Sequence, residues 1–268
     1  MPEGHTLHRL AREHQADFGD GAVRVSSPQG RFTAGAAQLD GVLFERAEAH
    51  GKHLFHHYAT DAVVHVHLGL YGGFTGFALP APEPRGQVRL RLEGEERGTD
   101  LRGPTRCDLI TPEEAESRRA KLGPDPLRDD ADPERSWQRI SRSRTSIAAL
   151  LMDQTVLAGV GNVYRAEVLF RHGIPPTTSG RSLGRERWEL VWGDLVDLMA
   201  DGVKVGRIDT VRPEHEPQVT GRAPREDRHG GEVYVYRRAG LPCLVCATPV
   251  ALTDLHARKL YWCPTCQS

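Results

Sequence analysis

Four cysteines near the C-terminus, Cys243, Cys246, Cys263 and Cys266, constrain this chain more than any other feature. They form C-x2-C-x16-C-x2-C. Each C-x-x-C pair can turn two thiolates onto one cation while the intervening segment folds as a hairpin. The result is a closed tetrahedral zinc site with no open position for catalysis. Two disulfides or four reduced thiols are the other readings, although a cytoplasmic chain rarely holds disulfides. So short a segment cannot build its own core, so the metal must contribute its folding energy. Between the pairs, HARKLYW puts Arg258 and Lys259 near the hairpin tip. There a guanidinium can meet phosphate, or the tip is merely a solvated charged turn. Cys107 stands alone and reads as an ordinary buried thiol.

The other 240 or so residues of this 268-residue chain are enough to bury a core without a disulfide scaffold. No apolar run approaches the roughly 20 residues of a membrane helix. The opening MPEGHTLHRLAREH lacks a secretory apolar region, which predicts a cytoplasmic protein and no membrane partner. Lys plus Arg number 35 against 36 for Asp plus Glu, a net charge of -1. A polyanionic partner must therefore be met by segregated charge, not by bulk excess. Such segregation is present. Residues 111–135 hold eight acids and five bases and read as an interdomain linker, whereas SWQRISRSRTS, just beyond, carries Arg139, Arg142 and Arg144 and no acid.

Hydrophobic spacing divides the chain. Leu7, Leu10, Ala11, His14 and Phe18 recur at helical spacing over 6–18. From about 20 to 110, alternating stretches such as VVHVHLGLY and QVRLRLEG sit between Gly-rich turns. Val88, Leu90 and Leu92 fall on one face and Arg89 and Arg91 on the other, predicting an antiparallel sandwich or open barrel. From 145 to 202 the pattern is helical: IAALLMDQTVL as one helix, an AGVG connection, NVYRAEVLF as a second, and Leu183 to Met199 as a third ending at Gly202. The stretch after 206, rich in Gly, Pro and charge, reads as a mobile loop.

Three positions carry candidate chemistry. Asn162 opens a helix after a glycine loop, where amide groups bind phosphate readily; capping of its own helix is the alternative reading. Pro2 would become a free secondary amine once Met1 is removed. An α-amino group has a pKa of about 8 and can attack a carbonyl-level carbon without a dedicated base. Glu3 beside it can relay protons. Lys52, in HGKHLF at a glycine turn, is by itself an ordinary exposed lysine.

Taken together and in order, MPEG, GKHLF, HVHLGLYG, LGPDPL, LLMDQTVLAGVGNVYRAEVLFRHGI and the finger ending YWCPTCQ resemble the formamidopyrimidine-DNA glycosylase and endonuclease VIII family over nearly the whole chain. The resemblance implies a bifunctional glycosylase/AP lyase acting on damaged double-stranded DNA with a flipped nucleotide, because C1′ chemistry is out of reach inside the stack. Pro2 would attack C1′ and form a Schiff base, with Glu3 as acid/base. Lys52, Asn162 and Arg258 match the phosphate clamp, and Leu70 and Tyr71 match the wedge that fills the vacated stack; the plain reading of those two is strand core. The opening, the LYG wedge and the ending are closer to endonuclease VIII, which implies oxidised pyrimidines. The stretch TDLRGPT supplies Arg102 but none of the aromatic residues expected of an opposite-base reader. Many members carry Pro-Glu where this chain has His5 and Thr6, which removes a second carboxylate near the amine. Thr6 can still cap the first helix, and His5 reads as a surface histidine. His65 and His67, at i and i+2, could chelate a metal but read mainly as packing residues.

The expectation is therefore an α+β multidomain chain. Residues 1–120 form a catalytic β-sandwich with a leading helix. Residues 121–229 form a helix–two-turn–helix DNA-binding domain with a mobile loop at 206–229. Residues 230–268 form a zinc-finger hairpin with one structural Zn2+. One N-terminus per flipped base suggests a monomer, acting at the nucleoid. Two competitors remain: the same chemistry on oxidised purines, and a zinc-finger nucleic-acid-binding protein without catalysis.

Overall fold

The computed structural model describes residues 2–226 and 231–268, and the chain divides into two compact units, Met1–Lys121 and Leu122–Ser268. The first unit opens with helix α1 (Gly4–Phe18), whose Leu7, Ala11, His14 and Phe18 are buried at the spacing of one helical face. Strands β1 (Gly21–Ser26), β2 (Val42–His50), β3 (His53–Tyr58), β4 (Ala62–His67), β5 (Gly73–Ala78), β6 (Val88–Glu93), β7 (Arg97–Arg102) and β8 (Arg106–Ile110) follow, with the short helix α2 (Thr33–Leu39) after β1. They form one antiparallel sheet in the order β5-β7-β6-β1-β2-β3-β4-β8. Strand β1 makes the corner, since Gly21 to Val23 pair with β2 and Arg24 to Ser26 pair with β6. Helix α1 packs on β2 and β3, and Leu7, Phe18, Phe44, Leu54, Val64 and Leu90 meet in the core. Burying each such side chain is worth about 1.5–3 kcal/mol.

Alternation predicts the β6 core face correctly: Val88, Leu90 and Leu92 are fully buried. Arg91, expected on a solvated face, is 5% exposed. Its guanidinium donates to both carboxylate oxygens of Asp100 at 2.7 and 2.9 Å and to the Pro82 carbonyl at 2.8 Å. The partner lies nine residues away on β7, so residue type alone could not place it.

The acidic stretch 111–135 forms helices as well as a connection. Helix α3 (Pro112–Ala120) begins with a capping box, in which Thr111 accepts from the Glu114 backbone and the Glu114 carboxylate accepts from the Thr111 backbone. Helix α4 (Pro133–Ile140) is capped by Asp132. In the second unit the predicted helix over 147–157 shrinks to α5 (Ile147–Leu150), followed by two turns. Side chains there take over the backbone's partners: Asp153 accepts from Thr155 N at 2.9 Å, and Gln154 bonds both the Val160 carbonyl and Gly159 N. Helices α6 (Asn162–Arg171), α7 (Arg185–Val205) and α8 (Pro217–Thr220) follow, and strands β9 (Ala251–Leu255) and β10 (Arg258–Trp262) pair as the terminal hairpin. In the segment after 206, where described, Tyr234 Oη accepts from Arg212 N at 2.9 Å, and Arg222 pairs with Glu232 at 2.7 Å. Positions 227–229 of that loop lie outside the described residues. Among the described residues no helix is long and apolar enough to cross a membrane.

Histidines give the first unit a pH dependence. His14 Nδ1 and His56 Nε2 lie 3.0 Å apart among Phe18, Phe44 and Phe74, with both rings buried. Burial drives His14 down to about 3 and His56 well below its usual value; it also lowers His53 and His65 to about 3 and His5 to about 4. These rings fold neutral, whereas the unfolded chain takes up protons below about pH 6.5. Their stability is complete above that pH and is lost as pH falls towards 4 and 3. Urea midpoints measured at pH 7 and pH 5 should fall sharply; equal midpoints contradict this.

Candidate active site and DNA-binding surface

In the first unit, Glu3 is the N-cap residue of α1 and is fully buried, with half-buried Pro2 immediately before it. A carboxylate at a helix start is favoured by the macrodipole. Thr6 does not cap α1. It lies inside the helix, and its hydroxyl is 3.3 Å from His5 Nε2. His5 is not a surface residue either: it is 5% exposed, and burial keeps it neutral at pH 7. Met1 lies outside the described residues.

Lys52 sits in the two-residue turn between β2 and β3, where Gly51 adopts a φ of 57°. His53 pairs with His67 across β3 and β4, bringing this turn beside the end of β4. Besides burial, the Lys52 ammonium lowers the pKa of His67, which marks their proximity. His67 is thus a half-buried neighbour of the lysine, a placement that spacing alone could not give. His65 is a packing residue, as expected: its Nε2 lies 2.8 Å from His53 Nδ1, and the two rings stack. Among the described residues the four terminal cysteines form the single group able to hold a metal.

Directly after β4, Leu70 is 46% exposed and Tyr71 90% exposed, so neither is strand core. The turn that presents them requires glycine. A Cβ on Gly69, at φ 70°, would lie 1.9 Å from Thr105 Oγ1, and one on Gly72 would lie 2.3 Å from the Leu68 carbonyl. Two large apolar groups exposed to water on this turn have the character of side chains that insert into a base stack. Arg102 is held back by Asp100 at 2.8 Å and the Arg85 carbonyl at 3.0 Å.

In the second unit, Asn162 is the first residue of α6 and the N-cap is Gly161, so the capping alternative falls away. Asn162 Nδ2 donates to the Lys259 carbonyl at 2.9 Å, Arg165 donates to the same carbonyl at 3.0 Å, and Asn162 Oδ1 accepts from Arg165. Lys259 follows Arg258, so α6 grips the hairpin beside the exposed guanidinium. The register Arg258 to Leu255 closes a two-residue turn, with His256 and Ala257 at φ 49° and 58°. This is the twist that a tight antiparallel hairpin prefers.

Glu167, unremarked in the sequence, is the main tie between α6 and the segment entering the finger. It is fully buried and accepts from Tyr234 N at 2.6 Å, Val235 N at 2.9 Å, Tyr236 N at 2.8 Å and the Thr210 hydroxyl at 2.6 Å. The available signal was an acid in a helix that is otherwise buried almost all round. Glu167→Ala would strand three buried amides and should cost more than about 3 kcal/mol. Hydrogen exchange at 234–236 should accelerate with it; unchanged protection contradicts the role.

The four sulfurs lie within 4.8 Å of one another, none is in a disulfide, and backbone amides of Val245 and Cys266 point at Cys243 and Cys263 sulfurs at 3.5 Å. That donor set fits one structural zinc, which closes the finger and supplies no chemistry to a substrate.

An N-terminal helix with a buried carboxylate beside a proline, an exposed apolar turn, a helix–two-turn–helix and a four-cysteine finger together define a class. Residues 1–107 match the formamidopyrimidine-DNA glycosylase N-terminal domain, 122–213 its H2TH domain, and 240–268 the zinc finger found in FPG and IleRS. The chain belongs to the formamidopyrimidine-DNA glycosylase and endonuclease VIII family. It is 55% identical over 272 residues to Endonuclease 8 1 of Mycobacterium tuberculosis, covering 100% of both chains. It is 28% identical to Endonuclease 8 of Pectobacterium carotovorum, again over the full length of both. The crystal structure of Lactococcus lactis formamidopyrimidine-DNA glycosylase, bound non-covalently to DNA containing an AP site, shares the fold with a TM-score of 0.78 at 20% identity, covering 99% of each chain.

Proposed function

We propose that this base-excision-repair DNA glycosylase/AP lyase releases oxidised pyrimidines and cuts the resulting abasic site from its N-terminal proline. The observation that carries the reading is the placement of Pro2 next to a carboxylate buried at a helix start. With Met1 removed, the Pro2 nitrogen lone pair attacks C1′ and the base departs with a proton. The C1′–O4′ bond then breaks, O4′ takes a proton, and the ring-opened sugar is left as an iminium on Pro2. Loss of a C2′ proton expels the 3′ phosphate, a second elimination expels the 5′ phosphate, and water then frees Pro2. Glu3 carries protons in ring opening and elimination. Lys52, Asn162 and Arg258 bind backbone phosphates, while Leu70 and Tyr71 occupy the space of the everted nucleotide. The protein works as a monomer on nucleoid DNA.

Pyrimidine choice rests on the resemblance to endonuclease VIII and on the restrained Arg102. Duplexes holding thymine glycol or 8-oxoguanine, compared in single turnover, test it. The pyrimidine should be released at least about tenfold faster, and a reversed order replaces the substrate while leaving the chemistry. Arg258→Ala should lower the slope of log K against log salt by about one; an unchanged slope removes Arg258 from the phosphate contacts.

A further inference from the structure

The arginines of SWQRISRSRTS are not absorbed by this chemistry. Arg139 is tied to the Thr155 carbonyl. Arg142 and Arg144 are exposed, and the fold adds a third, Arg181. Arg181 N donates to the Ser143 carbonyl at 2.9 Å, Gly180 N donates to the Thr145 carbonyl at 2.9 Å, and Ser146 and Ser179 form an antiparallel bridge. Backbone bonds therefore fix Arg181 beside the chain between Arg142 and Arg144. Among the described residues none of the three takes part in an ion pair. By contrast, Arg185 nearby in sequence is paired with both Glu134 and Glu189. No acid occurs in sequence between Glu134 and Asp153 or between Glu167 and Glu186. Like charges held together on a rigid scaffold repel one another, and the arrangement is relieved by a polyanion.

The patch belongs to the same compact unit as Asn162 and the exposed Arg258. It leads directly into α5, where the Ala148 carbonyl accepts from Arg165 at 3.4 Å, and Arg165 bonds Asn162 and the Lys259 carbonyl. We propose that Arg142, Arg144 and Arg181 form a second phosphate-binding surface, separate from the lesion clamp, that engages the backbone of flanking, undamaged duplex. Its contacts are sequence-independent and held by charge, so they contribute to searching and to loading, not to the reacting atoms. The inference rests on the DNA-repair reading above.

The test compares the full-length zinc-loaded protein with R142Q/R144Q/R181Q and with R142K/R144K/R181K, using undamaged duplex over a salt series. About 0.9 is expected in the slope of log K against log salt for each phosphate neutralised. The glutamine variant should therefore lose about 2–3 units of slope and bind more than about tenfold more weakly near 0.1 M salt, while the lysine variant keeps the slope. At saturating enzyme, borohydride trapping on abasic-site duplex should be unchanged in both, so that a failure of the lyase reading is seen separately from a failure of the patch. Slope retained in the glutamine variant overturns the proposal, and so does slope lost equally in both variants. An acidic protein as the true partner would give the first of these results.

Discussion

A chain carrying a non-removable extension ahead of Pro2 should lose base release and strand cutting by on the order of 10³-fold or more, while its affinity for abasic-site DNA stays within a few-fold. Acylation converts the nucleophilic amine into an amide, whose nitrogen cannot attack C1′ or form an iminium. Removal of a covalent nucleophile produces losses of that order and beyond. Under the proposed clamp, binding survives because Lys52, Asn162 and Arg258 belong to the β2–β3 turn, α6 and the β9–β10 hairpin, which an extension leaves intact. A non-catalytic DNA-binding protein would show nothing to lose. Full cleavage by the extended chain would transfer the chemistry to another group.

Removing zinc should have the second-largest effect. The hairpin contributes little core of its own: Leu260 packs against the helical unit, and Val250 packs against Cys243 and Cys263. Structural zinc in isolated fingers contributes about 10–16 kcal/mol of apparent free energy. Chelation should therefore release one zinc per chain and unfold residues 240–268, while α6 and α7 persist through their own core. Arg258 then loses its fixed position, and the Lys259 carbonyl leaves Asn162 and Arg165. Cleavage of abasic-site DNA should fall by more than about 100-fold and return on adding Zn2+, because catalysis here depends on groups held in fixed geometry. Full activity in metal-free protein would separate the finger from the reaction.

Much of this architecture was legible because its signals are local. Cysteine spacing placed the finger, period-two alternation placed β6, and the face of Leu7, Ala11, His14 and Phe18 placed α1. What escaped depends on partners distant in sequence. Arg91 is buried because Asp100 returns on the next strand, and Glu167 matters because residues 234–236 come back to α6 with their amides exposed to it. The predicted helix at 147–157 fails for a different reason. Asp153, Thr155 and Gln154 satisfy turn backbone with side chains, which apolar periodicity does not register. Among the site residues, Pro2, Glu3 and Lys52 are unremarkable one by one, and only their order along a familiar chain singled them out. Exposure of Leu70 and Tyr71 needed coordinates, since HLGLYG reads equally well as a strand end.

The most direct measurement of the central claim is borohydride trapping. Untagged protein with Met1 confirmed absent is mixed with duplex DNA holding one abasic site, reduced, digested and sequenced by mass spectrometry. A covalent sugar adduct on the Pro2 nitrogen is the predicted result. An adduct on a lysine instead would contradict the N-terminal mechanism, and no adduct from protein that still binds the DNA would contradict the lyase itself.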